Sequence, residues 1–357
     1  MKLDSIFLKN FRNYSETRFN LNSRINIFLG NNGQGKTNLL EAIWTLINGR
    51  TFRNSKFDDL IKFNQKFLEI SGEFSDEFRT NYIKFSIIDN KKKLELNDKQ
   101  VNSRKEIKKI VSTVMFDKDL SYNLGRSSQP RLDCLDSIVS NFSNEYRVLI
   151  NNYSREIQRR NEILRTTRND EVLDFIDDRL IRLSNKVSLN RRLWISRIVN
   201  LTNQIIKKLD KNISINLDFV SDSLEITKLK KKLKQNRGHD KILGHSSIGS
   251  HKDKITFLAD KIDVFNFGSE GEKKTIALAI KIAEILMLKK LEDRFPLVLV
   301  DEIGSEFDEK RLKFFYNFLA KINTQCFITA SNKQLLDLKM RDHVLFLVTN
   351  GDCKKIS

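Results

Sequence analysis

An α/β fold with an inserted, mainly helical second lobe is what this sequence predicts, and three observations predict it. A short apolar run, Ile25-Asn26-Ile27-Phe28-Leu29, ends in Gly30-Asn31-Asn32-Gly33-Gln34-Gly35-Lys36-Thr37. A second one, Leu297-Val298-Leu299-Val300, ends in Asp301-Glu302. Between them, from about Arg131, the hydrophobic period lengthens from two residues to about 3.6.

The first run reads as strand, glycine loop, helix, and its loop fits G-x-x-x-x-G-K-[ST] at every fixed position. Gly30, Gly33 and Gly35 let the backbone curl, so that N–H groups along Asn31, Asn32 and Gln34 turn inward toward a triphosphate. Lys36 brings a point charge to the β/γ-phosphates, and the Thr37 hydroxyl is a ligand for Mg²⁺. The helix that follows aims its positive end at the same anion. Leu39, Ile43, Leu46 and Ile47 share one of its faces and Gly49 stops it. The stretch predicts ATP with Mg²⁺ as ligand.

Ahead of the loop, Leu3, Ile6, Leu8 and Phe11 open a strand, and a second strand follows Asn13-Tyr14. After the helix comes a polar loop, Gly49-Arg50-Thr51-Phe52-Arg53-Asn54-Ser55, with two arginines. Strands are predicted at 67–70, 82–87 and 93–96, the last turning at Asn97-Asp98. In the helical region, Leu132, Leu135, Ile138 and Val139 mark one helix. Tyr146, Leu149, Tyr153 and Ile157 mark a second. Val172, Ile176, Leu180, Leu183 and Val187 mark a long third, extended by Trp194, Ile198 and Leu201. No sustained heptad arm is present. Ile213, Ile215, Leu217 and Phe219 alternate as a strand, and a basic run covers residues 228–234. That run is either a DNA-facing stripe or a solvated helix face.

The chain has 357 residues, room for two domains or one large head with an insertion. Only 2 Pro and 13 Gly argue against long unstructured linkers. A formal charge of +18 favours a polyanionic partner, with a lysine-rich background composition as the alternative source. Cys134, Cys326 and Cys353 are far apart, with no histidine at ligand spacing, and read as reduced thiols of a cytosolic protein. No signal peptide is read at Met1-Lys2-Leu3-Asp4, and no apolar stretch approaches membrane-spanning length. The expected location is cytoplasmic.

The second apolar run delivers Asp301 to a Mg²⁺ shell and places Glu302 to polarise an attacking water as general base. With Ser305-Glu306-Phe307-Asp308 following, it matches an ABC-type Walker B strand and its D-loop. Ahead of it lies Phe267-Gly268-Ser269-Glu270-Gly271-Glu272, then a helical pattern at Ile276, Ile280, Ala283 and Met287. Ser269 and Gly271 at a helix start form a second anion site, and since the chain already holds one complete phosphate loop, the second γ-phosphate belongs to another protomer. An ordinary N-cap at Ser269 is the alternative.

Nearly end to end, these residues resemble the RecF family, ATPases related to SMC heads. Asn10-Phe11-Arg12-Asn13-Tyr14, Leu40-Glu41-Ala42-Ile43 and Arg50-Thr51-Phe52-Arg53 match its N-terminal pattern. Phe116-Asp117-Lys118-Asp119-Leu120 with Arg131 and Leu135-Asp136, then Tyr153-Ser154-Arg155 and Gln158-Arg159-Arg160-Asn161, resemble its helical lobe. Gly249-Ser250-His251-Lys252-Asp253 is similar to the family's G-P-H-R-D. Glu272 stands where the family has Gln, Ser250 replaces Pro, Lys252 replaces Arg, and Glu302 replaces a second Asp.

The resemblance implies an ABC/SMC-type P-loop ATPase head. Its N-terminal half would be residues 1–118, the helical lobe 119–240 and the C-terminal half 241–357. It implies an ATP-dependent homodimer that clamps single-stranded, double-stranded or gapped DNA and hydrolyses ATP weakly as a dimerisation switch. It also implies RecO- and RecR-like partners in loading RecA during recombinational repair, replication and the SOS response. An ABC-type ATPase subunit of a membrane transporter, or an SMC-like defence ATPase, shares the nucleotide motifs and is the alternative.

Overall fold

The computed structural model describes residues 1–21, 24–53, 56–101, 104–117, 120–126, 128–166, 170–302, 307–331 and 343–356. Asn54, Ser55, Lys118, Asp119, Ser305 and Glu306, named above, lie outside the described residues. Two compact units are present: residues 1–118 with 288–357, and residues 119–287.

The first unit opens with β1 (Lys2–Phe11), β2 (Tyr14–Asn20), β3 (Ile25–Leu29) and α1 (Lys36–Asn48). There follow β4 (Phe67–Ser75), β5 (Thr80–Ile88), β6 (Lys91–Leu96), β7 (Lys99–Gln100), α2 (Arg104–Ile110) and β8 (Thr113–Phe116). One sheet is antiparallel, in the order β2-β1-β4-β5-β6-β7. The apolar residues of β1 are three apart at each end, Leu3 to Ile6 and Leu8 to Phe11, although a strand alternates by two. A register shift between Leu3 and Ser5 accounts for the first gap, and a left-handed Asn10 at φ +54° sits in the second. The expected turn at Asn97-Asp98 is made by two residues at φ +50° and +62°.

The second unit carries α3 (Leu120–Gly125), α4 (Ser128–Phe142), α5 (Asn144–Thr166), α6 (Asp170–Leu209), β9 (Asn216–Val220), α7 (Ile226–Leu243), β10 (Lys254–Ala259), β11 (Ile262–Asp263) and α8 (Val264–Phe267). It also holds the start of α9 (Glu270–Glu292). The chain then returns to the first unit through β12 (Leu297–Asp301), α10 (Glu309–Lys321), β13 (Cys326–Ala330), β14 (His343–Thr349) and β15 (Asp352–Lys355).

The second large sheet runs β15-β14-β3-β13-β12-β8, parallel throughout except for β15. All five residues of β3 are buried, as are Leu297, Val298, Leu299 and Val300 of β12. Strands covered on both faces take such unbroken apolar runs. One hydrophobic cluster joins β1 and β4 on one side to β12 and β13 on the other, with α1 in it. Sandwiched in this way, α1 buries Leu40, Ala42 and Trp44 as well as its expected stripe. Gly49 ends it in the left-handed conformation at φ +58°.

In the second unit α5 and α6 pack through Tyr153, Leu180 and Val187. The 40 residues of α6 bury Leu173, not Val172, at the start of the stripe. The strand expected from Ile213 begins only at Asn216, because Asn203 takes the place of a neighbouring strand for Ile215. Its Nδ2 donates to the Ile215 carbonyl at 2.7 Å and its Oδ1 accepts from the Ile215 N–H at 2.9 Å. The basic run lies on α7, with Leu229 and Leu233 buried against Ile181. Lys228 and Lys232 pair with Asp222, and Lys230 with Asp178. Arg160 of α5 is fully buried and donates to Asp177 at 2.6 Å, Asp240 at 2.7 Å and Ser246 Oγ at 2.8 Å. Among the described residues no helix is long and apolar enough to cross a membrane.

Candidate nucleotide-binding site

Within the first unit the parallel sheet brings the ends of β3 and β12 together with one strand, β13, between them. Thr37 Oγ1, in the first turn of α1, donates to Asp301 Oδ1 at 2.9 Å. From the intervening strand, Thr329 Oγ1 donates to the same oxygen at 2.8 Å and accepts from the Glu302 N–H at 3.0 Å. Burial pushes the Asp301 carboxyl above its usual range, with Glu302 adding to the rise, while the two threonine hydroxyls oppose it. Glu302 stands at φ +46°, where the strand breaks off. Its Oε1 is 2.8 Å from Lys36 Nζ, which also donates to the Gly30 carbonyl at 2.8 Å and the Asn31 carbonyl at 3.0 Å.

A polar cleft of about 420 Å³ follows the loop, lined by Asn32, Gly33, Gly35, Lys36, Thr37, Asn38, Arg53 and Glu302. Of the three loop glycines, Gly33 at φ +82° and Gly35 at φ +114° supply the curl. Gly30 has an ordinary φ, and a side chain there would meet the Val348 carbonyl.

Arg53, which the sequence places on a basic loop, turns to α1 instead. It donates to Asn38 Oδ1 at 3.0 Å and lies 3.6 Å from Glu41. Glu41 is fully buried and explains the turn, since a carboxylate without water needs cationic partners. Arg12 supplies two hydrogen bonds to it, at 2.9 and 3.2 Å, and Thr51 a third at 2.7 Å. Sequence reasoning missed Thr329, whose one signal is a hydroxyl in an otherwise apolar strand, Cys326-Phe327-Ile328-Thr329-Ala330.

Ser269 and Gly271 belong to the second unit. Ser269 and Glu272 form a reciprocal cap at the start of α9: the Ser269 N–H and Oγ–H donate to Glu272 Oε2 at 2.7 and 2.9 Å, and the Glu272 N–H reaches Ser269 Oγ at 3.2 Å. Glu272, in the family's Gln position, is therefore held by Ser269. Lys273, next along the helix, pairs with Glu270 at 2.9 Å. The three cysteines form no disulfide, and burial pushes the pKa of the Cys326 and Cys353 thiols up to about 12, which favours the protonated thiol. Among the described residues no group of three potential metal-binding side chains is found.

The DNA replication and repair protein RecF of Clostridioides difficile (strain 630) is 30% identical over 99% of this chain and 98% of that protein. A solved structure of the recombination mediator protein RecF with ATP, in the RecFOR pathway, superposes with a TM-score of 0.87 at 26% identity, covering 99% of both chains. The Smc head domain of Pyrococcus furiosus, at 16% identity and a TM-score of 0.54, shares the fold. Residues 2–354 match the family described as RecF/RecN/SMC N terminal domain, and with near-complete coverage of its RecF relatives the chain belongs to the RecF branch of that family.

Proposed function

We propose that this protein is an ATP-dependent DNA-binding protein of recombinational repair and replication-fork maintenance. The observation that carries the nucleotide half is the meeting of Lys36, Thr37, Asp301 and Glu302 at the ends of two parallel strands, bridged by Thr329. The relatives named for DNA replication and repair, one of them solved with ATP, support the other half. The transporter-subunit alternative is not favoured by those relatives.

In this reading the loop residues 30–37 bind the triphosphate, with Lys36 as the principal charge. Thr37 and Asp301 offer hard oxygen donors that suit Mg²⁺, which would neutralise charge on the phosphates. Glu302 is the base for water. Ser269 and Gly271 meet the γ-phosphate held by a second copy, so that ATP joins the dimer, closes it on DNA and is slowly hydrolysed. The working ATPase lobe is then 1–118 with 241–357, the helical lobe 119–240, and RecO- and RecR-like mediators are the partners in the cytoplasm.

Lys36→Ala is the test of the binding step. Losing a charge-assisted contact of roughly 1.5–3 kcal/mol weakens ATP by a factor of about ten or more. Titration with a fluorescent ATP analogue reads this, and an unchanged affinity would remove Lys36 from the site.

The net charge of +18 motivates a phosphate-tracking DNA surface with little base specificity. Log affinity should fall linearly with log salt, by roughly 0.9 per phosphate neutralised, alike for unrelated duplexes. Fluorescence anisotropy across a salt series measures the slope. A flat response with ATP present assigns the charge to background composition. With three lysines of the 228–234 run already paired to aspartates, neutralising that run should reduce the slope little.

A further inference from the structure

A peptide unit is planar and trans, so its C=O and its N–H point in opposite directions. Fixing one carbonyl therefore fixes the N–H of the next residue. Two carbonyls of the glycine loop are held by groups that come from outside the lining of the cleft. The Gln34 carbonyl accepts from Asn13 Nδ2 at 3.0 Å and from the Gly351 N–H at 3.1 Å. The Gly35 carbonyl accepts from the Leu39 N–H at 3.0 Å, the first bond of α1, and from the Tyr14 hydroxyl at 3.1 Å, which burial keeps protonated. The N–H groups opposed to these carbonyls are those of Gly35 and Lys36, both of which line the cleft.

Two elements supply the ties. Asn13 comes from the turn between β1 and β2, and Tyr14 opens β2. The Asn350-Gly351 turn joins β14 to β15, with φ of +48° and +80° at its two residues, the pattern of a tight hairpin turn. This turn touches the loop again, since the Asn350 N–H donates to Gln34 Oε1 at 2.6 Å, while β14 lays the Val348 carbonyl against Gly30. Gly351 is itself wedged, for a Cβ there would collide with the Asn13 carbonyl.

We propose that the Asn350-Gly351 turn, together with Asn13 and Tyr14, is a positioning device that aims the Gly35 and Lys36 N–H groups at the bound triphosphate. The inference rests on the phosphate-loop reading given above, and the turn acts through the loop without touching the nucleotide.

The probe is a fluorescent ATP analogue, displaced in a second titration by inorganic tripolyphosphate. Gly351→Val breaks both the positive φ and the fit against Asn13. Asn13→Asp is the milder variant: it keeps the oxygen that accepts from Asn38 Nδ2 at 2.9 Å and replaces the donor to Gln34 with an acceptor, and because it also adds a negative charge every titration is run in high salt, where that charge is screened. Both variants should bind the analogue about tenfold more weakly, and tripolyphosphate should weaken by the same factor. Should Gly351→Val not fold, Asn13→Asp decides alone. A folded Asn13→Asp protein with unchanged affinity for both probes would overturn the proposal. If the unchanged protein binds neither probe, the phosphate-loop reading itself has failed, and this inference with it.

Discussion

Glu302→Gln is expected to lower ATP turnover by about 10²–10⁴-fold while leaving ATP bound. The strand ends one residue earlier, at Asp301, and Glu302 turns out at φ +46° with its N–H fixed on Thr329. Its carboxylate projects to within 2.8 Å of Lys36, beside the loop. An amide of the same shape keeps Thr37 and Asp301 in place and cannot accept the proton of a water. Turnover is read by phosphate release and binding by the fluorescent analogue. The dimer should persist in light scattering with Mg·ATP and DNA.

Ser269→Arg gives the opposite pattern in the same assay. The loop is untouched, so ATP still binds, but a bulky cation at the start of α9 abolishes ATP-driven dimerisation. The variant also loses the cap shared with Glu272, worth about 1 kcal/mol, a cost small beside the expected loss of dimer. A Ser269→Arg protein that still dimerises leaves Ser269 as a helix cap alone, and a Glu302→Gln protein with undiminished turnover places the base elsewhere.

Arg160→Leu should destabilise the helical unit by about 3–5 kcal/mol. Arg160 is the common partner of Asp177, from α6, and Asp240, from α7, and it also holds Ser246. Both carboxylates are buried, and removing the guanidinium leaves Asp240 in particular without a cation at hydrogen-bond distance. Asp177 retains Arg237 at 2.8 Å, which tempers the loss. The control is next door: Arg159 is mostly exposed, and its buried partner Glu156, 3.7 Å away, keeps Arg179 at 3.3 Å when Arg159 is lost, so Arg159→Leu should stay within about 1 kcal/mol. Denaturant unfolding followed by circular dichroism separates the two. Equal midpoints would mean that the buried guanidinium contributes no more than an exposed one.

The glycine loop, with its place between β3 and α1, was legible because its pattern is contiguous: eight consecutive residues fix strand end, curl, cation and hydroxyl. The acidic strand was legible for a related reason, an apolar run long enough to be a buried parallel strand before two acids. Thr329 was hidden because its partner Asp301 is a neighbour only across the sheet, and nothing in the local pattern marks that hydroxyl. The direction of Arg53 was hidden because it depends on Glu41, a residue at a helix position where an acid ordinarily faces water. Asn203 replaced a ladder of backbone bonds with one amide, so the strand after Ile215 began later than its alternation suggested. At Ser269 the sequence left cap and anion site open, and the reciprocal cap with Glu272 describes how the motif is held before any partner meets it.

The order of strands around β3 has a consequence for how the protein is made. Ile25 pairs with Cys326 on one side and His343 on the other, so neither neighbour of the loop-bearing strand exists until almost the whole chain has left the ribosome. The antiparallel sheet closes from nearby hairpins and can form early, as can the α5–α6 pair, whereas such distant pairings are slow. During synthesis the apolar segment Ile25–Leu29 waits uncovered, a natural target for holding chaperones. ATP binding should therefore emerge last, and abruptly, in a nascent chain whose helical unit is already folded.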